Sequence, residues 1–292
     1  MEHKAGFVNI IGHPNVGKST LMNQLVGEEL SIITSKAQTT RHRILGIVNE
    51  DDYQIVYSDT PGIIDPAYKM QEGMMKFVYT SLQDADIILL MIESGQKSLR
   101  DERLSSFLSN SETPIICILN KIDLSNQEKL EAEMIRWKEE IPNAYVLPIS
   151  ALHGFSVDVL KEKIIELLPV SPAYYPKDSL TDKNERFFVE EKIRERILMN
   201  YDQEVPYSVE VVVEEFKEEE EIIRIRAIIY ASRESQKGIL IGKGGLKLKT
   251  VGSEARKDLE EFFKKKIFLD VYVKVNKDWR NDDKQLKKFG YL

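Results

Sequence analysis

At 292 residues the chain is long enough for two domains, each with its own core, and its ordinary mix of 42% hydrophobic and 30% charged residues excludes a disordered or fibrous protein. The formal charge of −7 conceals a polarity: residues 233–292 carry 16 Lys/Arg against 9 Asp/Glu, whereas 1–232 carry 25 against 39. An acidic front with a basic rear is what a phosphate-backbone contact confined to one domain requires.

The lone Cys117 lies in the apolar run Pro114–Leu119. It excludes an intrachain disulfide, fits a reducing compartment, and is best read as a small core residue. The four histidines show no metal-ligand spacing. The N-terminus runs almost directly into a strand, which leaves no room for a signal peptide. Ile87–Ile92, the longest purely apolar run, is far too short to span a bilayer. A cytosolic protein is expected, with surface attachment to a membrane left open.

The first predicted strand, Phe7–Gly12, leads into Gly12-His13-Pro14-Asn15-Val16-Gly17-Lys18-Ser19, which fits the phosphate loop G-x-x-x-x-G-K-[ST], and a helix over Thr20–Val26 follows. Phosphates carry dense negative charge, so their cradle must supply donors without bulk; a glycine-rich turn at a helix start does so with backbone N–H groups. Lys18 is expected on the β/γ-phosphates and the Ser19 hydroxyl on Mg²⁺. Strands over Ile44–Asn49 and Tyr53–Asp59 come next, the second ending in Asp59-Thr60-Pro61-Gly62. A carboxylate at a strand end suits Mg²⁺, and the Gly62 N–H suits the γ-phosphate.

Strands at Asp86–Glu93, Pro114–Asn120 and Tyr145–Ser150 alternate with helical periodicity at Leu99–Leu108, Gln127–Glu140 and Val157–Leu168. This alternation predicts an α/β domain built on a mostly parallel sheet with helices on both faces, its ligand beyond the carboxyl ends of the strands. Asn120-Lys121-Ile122-Asp123 ends one of those strands and fits a guanine clamp. Its Asp carboxylate accepts from guanine N1–H and the exocyclic amine, and adenine has no matching pair of donors. Asn120 would tie the base to the phosphate loop, the Lys121 stem would pack on the ring, and Ser150-Ala151-Leu152 would offer backbone N–H to the guanine oxygen.

Three prolines within 169–176 and a polar stretch over Lys177–Glu185 predict a linker at 171–184, separating a domain at 1–170 from one at 185–292. The second domain reads as a helix at Arg186–Tyr201, strands at Tyr207–Glu215 and Ile222–Ala231, a short Ile239–Ile241 element before a glycine loop, a helix at Leu246–Lys265 and a strand at Ile267–Val275. The glutamates of Phe216–Glu220 are a solvated turn.

Taken together, the nucleotide motifs resemble those of translation-factor-type GTPases of the Era family, and the likeness covers the whole chain. Gln38-Thr39-Thr40-Arg41-His42 resembles the family's first switch. The resemblance implies Mg²⁺ held by Ser19, Asp59 and Thr40, with Thr39 the lesser alternative to Thr40. It implies catalytic roles for Lys18, Thr40 and Gly62, and GTP/GDP contacts from Gly12, Asn15, Val16, Gly17, Lys18, Ser19, Thr20, Asp59, Thr60, Pro61, Gly62, Ile63, Asn120, Lys121, Asp123, Ser150, Ala151 and Leu152. Ile63 stands where Ras-like enzymes carry a water-orienting glutamine, so intrinsic hydrolysis is expected to be slow. Asn15 resembles the residue that helps related GTPases hold K⁺; capping of its own loop is the simpler role.

Ile241-Gly242-Lys243-Gly244-Gly245-Leu246-Lys247 resembles the G-x-x-G loop of KH domains, and the order α-β-β-α-α-β is the α+β type II KH arrangement. RNA contacts are expected from Gly242, Lys243, Gly244, Gly245, Lys247 and Lys249. Lys264–Lys266 reads first as a helix end complementing its dipole. Trp279, with Arg280, Lys284, Lys287 and Lys288, either faces RNA or docks the terminal segment on the core.

The family resemblance further implies a monomeric switch. It binds the 3′ region of 16S ribosomal RNA and assists assembly of the 30S subunit, with occasional peripheral contact with the inner membrane. Ser31–Arg41 and Thr60–Met75 would order around the γ-phosphate and relax on hydrolysis. Two rivals remain: a P-loop kinase or ATPase, which lacks an N-K-x-D element at a strand end, and an RNA-binding module carrying a passive GTPase fold.

Overall fold

The computed structural model describes residues 2–99 and 101–292, which divide into two compact units. Met1–Asp65 and Met74–Asp182 form the first; Pro66–Gly73 and Lys183–Leu292 form the second.

The first unit is an α/β sheet of six strands: β1 (Lys4–Gly12), β2 (Ile44–Asn49), β3 (Tyr53–Asp59), β4 (Ile87–Glu93), β5 (Ile115–Asn120) and β6 (Ala144–Pro148). Their spatial order is β2-β3-β1-β4-β5-β6, antiparallel only at β2–β3. Six of the seven residues of β4 and all six of β5 are buried. These near-continuous apolar runs mark strands covered on both faces. The chain passes from β1 to the edge strand β2, turns back to β3 beside β1, then crosses to the other side of β1 to build β4, β5 and β6. The ends of β1 and β4 therefore border the crevice where such sheets bind ligands.

Helices α1 (Lys18–Val26), α2 (Lys69–Gln83), α3 (Glu102–Asn110), α4 (Gln127–Glu140) and α5 (Val157–Leu167) connect the strands. The Asp101 carboxylate caps α3 by accepting from the Arg103 and Leu104 N–H groups, and the Asn126 side chain caps α4 through the Lys129 N–H. Arg100, inside the helix expected over Leu99–Leu108, lies outside the described residues. Helix α2 is absent from the sequence-based expectation. Its signal is the four-residue spacing of Met70, Met74, Val78 and Leu82, all buried, with Gly73 in their midst obscuring it.

The Pro-rich segment after α5 lies as a strap along the first unit. Gln54 holds it, accepting from the Tyr174 and Tyr175 N–H groups at 2.7 and 3.0 Å and donating to the Tyr175 carbonyl at 2.8 Å. The Ile47 N–H donates to the Leu180 carbonyl and the Leu45 N–H to the Asp182 carboxylate. The free edge of β2 is thereby paired instead of left open.

In the second unit, α6 (Glu185–Asn200) precedes a three-stranded sheet of β7 (Val209–Glu218), β8 (Ile222–Ala231) and β9 (Lys266–Val275). Strands β7 and β8 are antiparallel, with a bulge between Val213 and Glu215, and β9 runs parallel to β8. Helices α7 (Glu234–Ile241) and α8 (Leu246–Phe263) intervene between β8 and β9. Val189, Ile193 and Ile197 of α6 and Val251, Ala255 and Leu259 of α8 present four-residue stripes that bury against Val211, Ile225 and Ile229 of the sheet. The α-β-β-α-α-β order is the one expected.

A short helix α9 (Asp283–Lys288) follows β9. Trp279 is fully buried and its indole N–H donates to the Ser208 carbonyl at 3.1 Å, so the terminal segment docks on its own unit. Within this unit Lys69 pairs with Asp283 at 2.9 Å.

Candidate functional site

The loop between β1 and α1 is shaped by positions where only glycine fits. Gly12 takes φ +151°, and a Cβ there would overlap the Met91 carbonyl of β4. Gly17 takes φ +100°, and a Cβ there would overlap the Asn120 side-chain amide. The loop thus lies hard against the ends of β4 and β5 while its N–H groups open a helix. Lys18 is buried, its ammonium donating to the Gly12 and His13 carbonyls at 3.0 and 2.9 Å. Burial lowers its pKa to about 8, opposed by the Asp59 charge.

Three oxygen-bearing side chains converge beside it. The Ser19 hydroxyl donates to Asp59 Oδ2 at 2.7 Å, Thr40 donates to the same oxygen at 3.2 Å, and the two hydroxyls lie 2.9 Å apart. Asp59 is fully buried, and its Oδ1 has no hydrogen-bond partner. Burial raises its pKa, opposed by the Lys18 charge and the Ser19 hydroxyl bond. An orphaned carboxylate oxygen among two hydroxyls is a hard-oxygen donor set that fits Mg²⁺. Thr39 is turned away, its hydroxyl donating to the Lys36 carbonyl at 2.6 Å.

Gly62 packs against Pro14, where a Cβ would come within 2.7 Å of the Pro14 nitrogen. The Ile63 N–H donates to the Gly12 carbonyl at 3.0 Å, joining this turn to the phosphate loop. The Ile63 side chain is 4% exposed and packs with Ile11 and Met75, so it belongs to the core. The Thr60 hydroxyl holds the Ile10 carbonyl at 2.8 Å. Asn15, in the left-handed region at φ +64°, donates its amide to the Ser35 carbonyl at 3.0 Å.

Asn120 knits the base side to the phosphate side. Its Nδ2 donates to the Val16 carbonyl at 2.7 Å, and its Oδ1 accepts the Ala151 N–H at 2.9 Å. Lys121 sits at φ +64°, a conformation rare outside glycine and characteristic of functional turns. Asp123 Oδ1 accepts the Ser150 hydroxyl at 2.6 Å, which holds the Asp123 pKa below the usual carboxylate range. One cavity of about 690 Å³, lined by Lys18, Ser19, Thr40 and Gly62 at one end and by Asn120, Lys121, Asp123, Ser150 and Leu152 at the other, joins the two sides. That volume suits a nucleotide.

Glu93 escapes sequence reasoning. It ends β4 in register with Asn120, lines the cavity and pairs with Lys121 at 3.1 Å. Its only signal is a carboxylate closing an apolar strand.

The glycine loop of the second unit lies between α7 and α8. Gly242, Gly244 and Gly245 all have positive φ, at +71°, +61° and +77°. Nothing lies within 4 Å of a Cβ built on Gly244 or Gly245, so a ligand backbone can approach both closely. Lys243, Lys247 and Lys249 are exposed around the loop. Lys247 stands over the Tyr201 ring at 5.5 Å.

Two family models match: the 50S ribosome-binding GTPase over residues 7–121 and the KH domain over 204–280. The chain is 44% identical over the full length of both proteins to GTPase Era of Alkaliphilus metalliredigens strain QYMF. The chain belongs to the Era family of GTPases. A crystal structure of a variant of Aquifex aeolicus Era bound to GDP·AlF4⁻ matches with a TM-score of 0.92 at 36% identity, covering 99% of each chain. Era in complex with MgGDPNP and nucleotides 1506–1542 of 16S ribosomal RNA matches with a TM-score of 0.94 at 37% identity, again over 99% of each. Membership in the family makes the P-loop unit a GTPase domain and the second unit a KH domain. No helix among the described residues is long and apolar enough to cross a membrane.

Proposed function

We propose that the chain is a GTP-hydrolysing switch whose KH domain binds the 3′ region of 16S ribosomal RNA and assists assembly of the 30S subunit. The observation that carries the nucleotide half is Asn120, which touches both the phosphate loop and the Ser150–Leu152 turn, so triphosphate and base are bound by one connected framework. The ribosomal half rests on the full-length likeness to the Era–RNA complex together with the open glycine loop. An rRNA partner implies the cytoplasm as the place of action.

In this reading Lys18 carries its charge to the β- and γ-phosphates, and the Gly62 N–H meets the γ-phosphate where charge develops on its oxygens. Ser19, Thr40 and Asp59 would hold Mg²⁺, which when bound neutralises phosphate charge. Asp123 reads guanine, Lys121 covers the ring, and the Ser150–Leu152 turn lies on the side of the guanine oxygen. Ile63, buried in the core, cannot orient the attacking water, so unassisted hydrolysis is slow. Asn15 and the Ser35 carbonyl it holds would serve a K⁺ ion. Equal hydrolysis rates in Na⁺ and K⁺ buffers would remove that assignment.

The switch is tested by measuring binding of the full-length chain to RNA from the 3′ end of 16S rRNA with GDPNP and with GDP. Tighter binding in GDPNP is expected. Equal affinity in both states sinks the coupling, because a switch needs contacts that differ between its states.

A further inference from the structure

The second unit holds a cavity of about 370 Å³ apart from the glycine loop, lined by Ser232, Arg233, Glu234, Lys277, Asp278 and Arg280. Its floor is rigid. The Ser232 hydroxyl and the Trp279 indole, both buried, donate to the same Ser208 carbonyl at 3.2 and 3.1 Å. The Asn276 N–H donates to the Ala231 carbonyl at 2.9 Å, so the two lining segments are tied just outside the cavity. Asp278 takes the left-handed region at φ +50°, and its carboxylate accepts the Asn281 amide at 2.8 Å.

The rim carries three cations. Arg280 stacks over the Tyr68 ring at 4.7 Å. Arg233 and Lys277 are exposed, and their side-chain cations make no hydrogen bond or ion pair with any described residue. Two uncommitted side-chain cations on anchored segments, in the part of the chain that holds its excess positive charge, are suited to a phosphate. Their position selects among phosphates. Arg233 immediately precedes α7, and the glycine loop immediately follows it. Eight residues of helix span about 12 Å, a distance a single RNA strand covers in a few nucleotides.

We propose that this cavity is a second phosphate site of the KH domain, taking a backbone phosphodiester of the RNA strand that has passed the glycine loop. The site rests on the RNA-binding reading above and lengthens its footprint. Arg233 and Lys277 supply the attraction. The carboxylates of Glu234 and Asp278, which also line the cavity, oppose it; that of Asp278 is held by Asn281, whereas that of Glu234 has no partner among the described residues. Glu234 therefore sets a ceiling on affinity and supplies a test of opposite sign.

The experiment titrates the full-length chain with fluorescein-labelled RNA of about 4 and about 12 nucleotides from the 3′ end of 16S rRNA, the shorter filling only the loop. Arg233→Ala with Lys277→Ala should weaken the longer RNA about tenfold, reduce its log–log salt slope by about 1, and leave the shorter RNA unchanged. Glu234→Gln should tighten the longer RNA. Overturning results are an unchanged longer RNA, equal losses on both lengths, or a Glu234→Gln variant that binds no tighter. Loss of flotation with phosphatidylglycerol vesicles while RNA binding stays intact would instead assign the cavity to a lipid headgroup. Lys243→Ala is the separate control for the underlying reading: if it leaves both lengths unchanged, the glycine-loop assignment fails.

Discussion

The two glycine loops of this molecule solve the same problem in opposite ways. The phosphate loop after β1 is enclosed: Gly12 and Gly17 are glycines because protein atoms of β4 and β5 occupy the space of a side chain. The KH loop is open: Gly244 and Gly245 have no neighbours where a side chain would be, so the vacant space faces outward. In the first, recognition is built from buried groups that already hold one another, as Asn120 holds Val16 and Ala151. In the second only exposed lysines surround the glycines, and on the proposed reading a strand must be brought to them. Preorganised buried contacts give large, salt-insensitive effects on substitution, whereas exposed cations give small, additive, salt-dependent ones.

That contrast can be broken by mutation. The largest effect is expected from Lys18→Ala, which removes the charge at the phosphates and should lower single-turnover GTP hydrolysis by about 10²–10³-fold. A residual rate within tenfold of the parent would place the triphosphate elsewhere. Next, Asp123→Asn should cut GTP affinity by about 10²-fold and create binding of xanthosine nucleotides, read by fluorescent nucleotide competition. Loss of both nucleotides would mean that the pairing with Ser150 serves folding more than base reading.

On the open side, Lys243→Ala with Lys249→Ala should weaken single-stranded RNA about tenfold at 0.1 M salt and flatten the salt dependence, with nucleotide affinity unchanged. An effect independent of salt would contradict an electrostatic loop.

The smallest effect concerns a group outside both loops. Glu190 accepts the Val213 N–H at 2.8 Å beside the β7 bulge, and burial raises its pKa to about 7, with the Glu210 and Glu191 charges adding to the rise and Arg186 opposing it. The folded state then holds a proton that the unfolded chain releases near the ordinary glutamate value. Stability contributed by this group is intact at low pH, declines as pH rises towards about 7, and stays constant above. Glu190→Gln keeps the acceptor without the charge and should stabilise the protein at pH 8 by about 1–2 kcal/mol, with little change at pH 4.5. Melting temperatures at the two pH values check this.

Much of the architecture was legible because its signals are local. Apolar strands such as Ile87–Ile92 must be buried on both faces, and four-residue stripes such as Ile193–Ile197 identify helix faces. Helix α2 went unread because Gly73 interrupts an otherwise clear stripe. The linker was legible as a break in pattern, but its docking on β2 was not, since the polar side chain of Gln54 carries no hint that it will hold the backbone of Tyr174 and Tyr175, 120 residues away.

By itself the sequence determined the chemistry available: a lysine and serine at the end of a glycine loop, an aspartate in an N-K-x-D turn at a strand end, and lysines around a second loop. Spacing suffices there because each motif is a short stretch whose backbone geometry follows from its own glycines and strand ends. Tertiary structure alone decided which groups meet. It set Thr40 rather than Thr39 against Asp59, gave Lys121 to Glu93, buried Ile63, and left the side chains of Arg233 and Lys277 on one cavity without ion-pair partners. Those outcomes depend on strand register and helix docking between distant segments, and no local pattern encodes them.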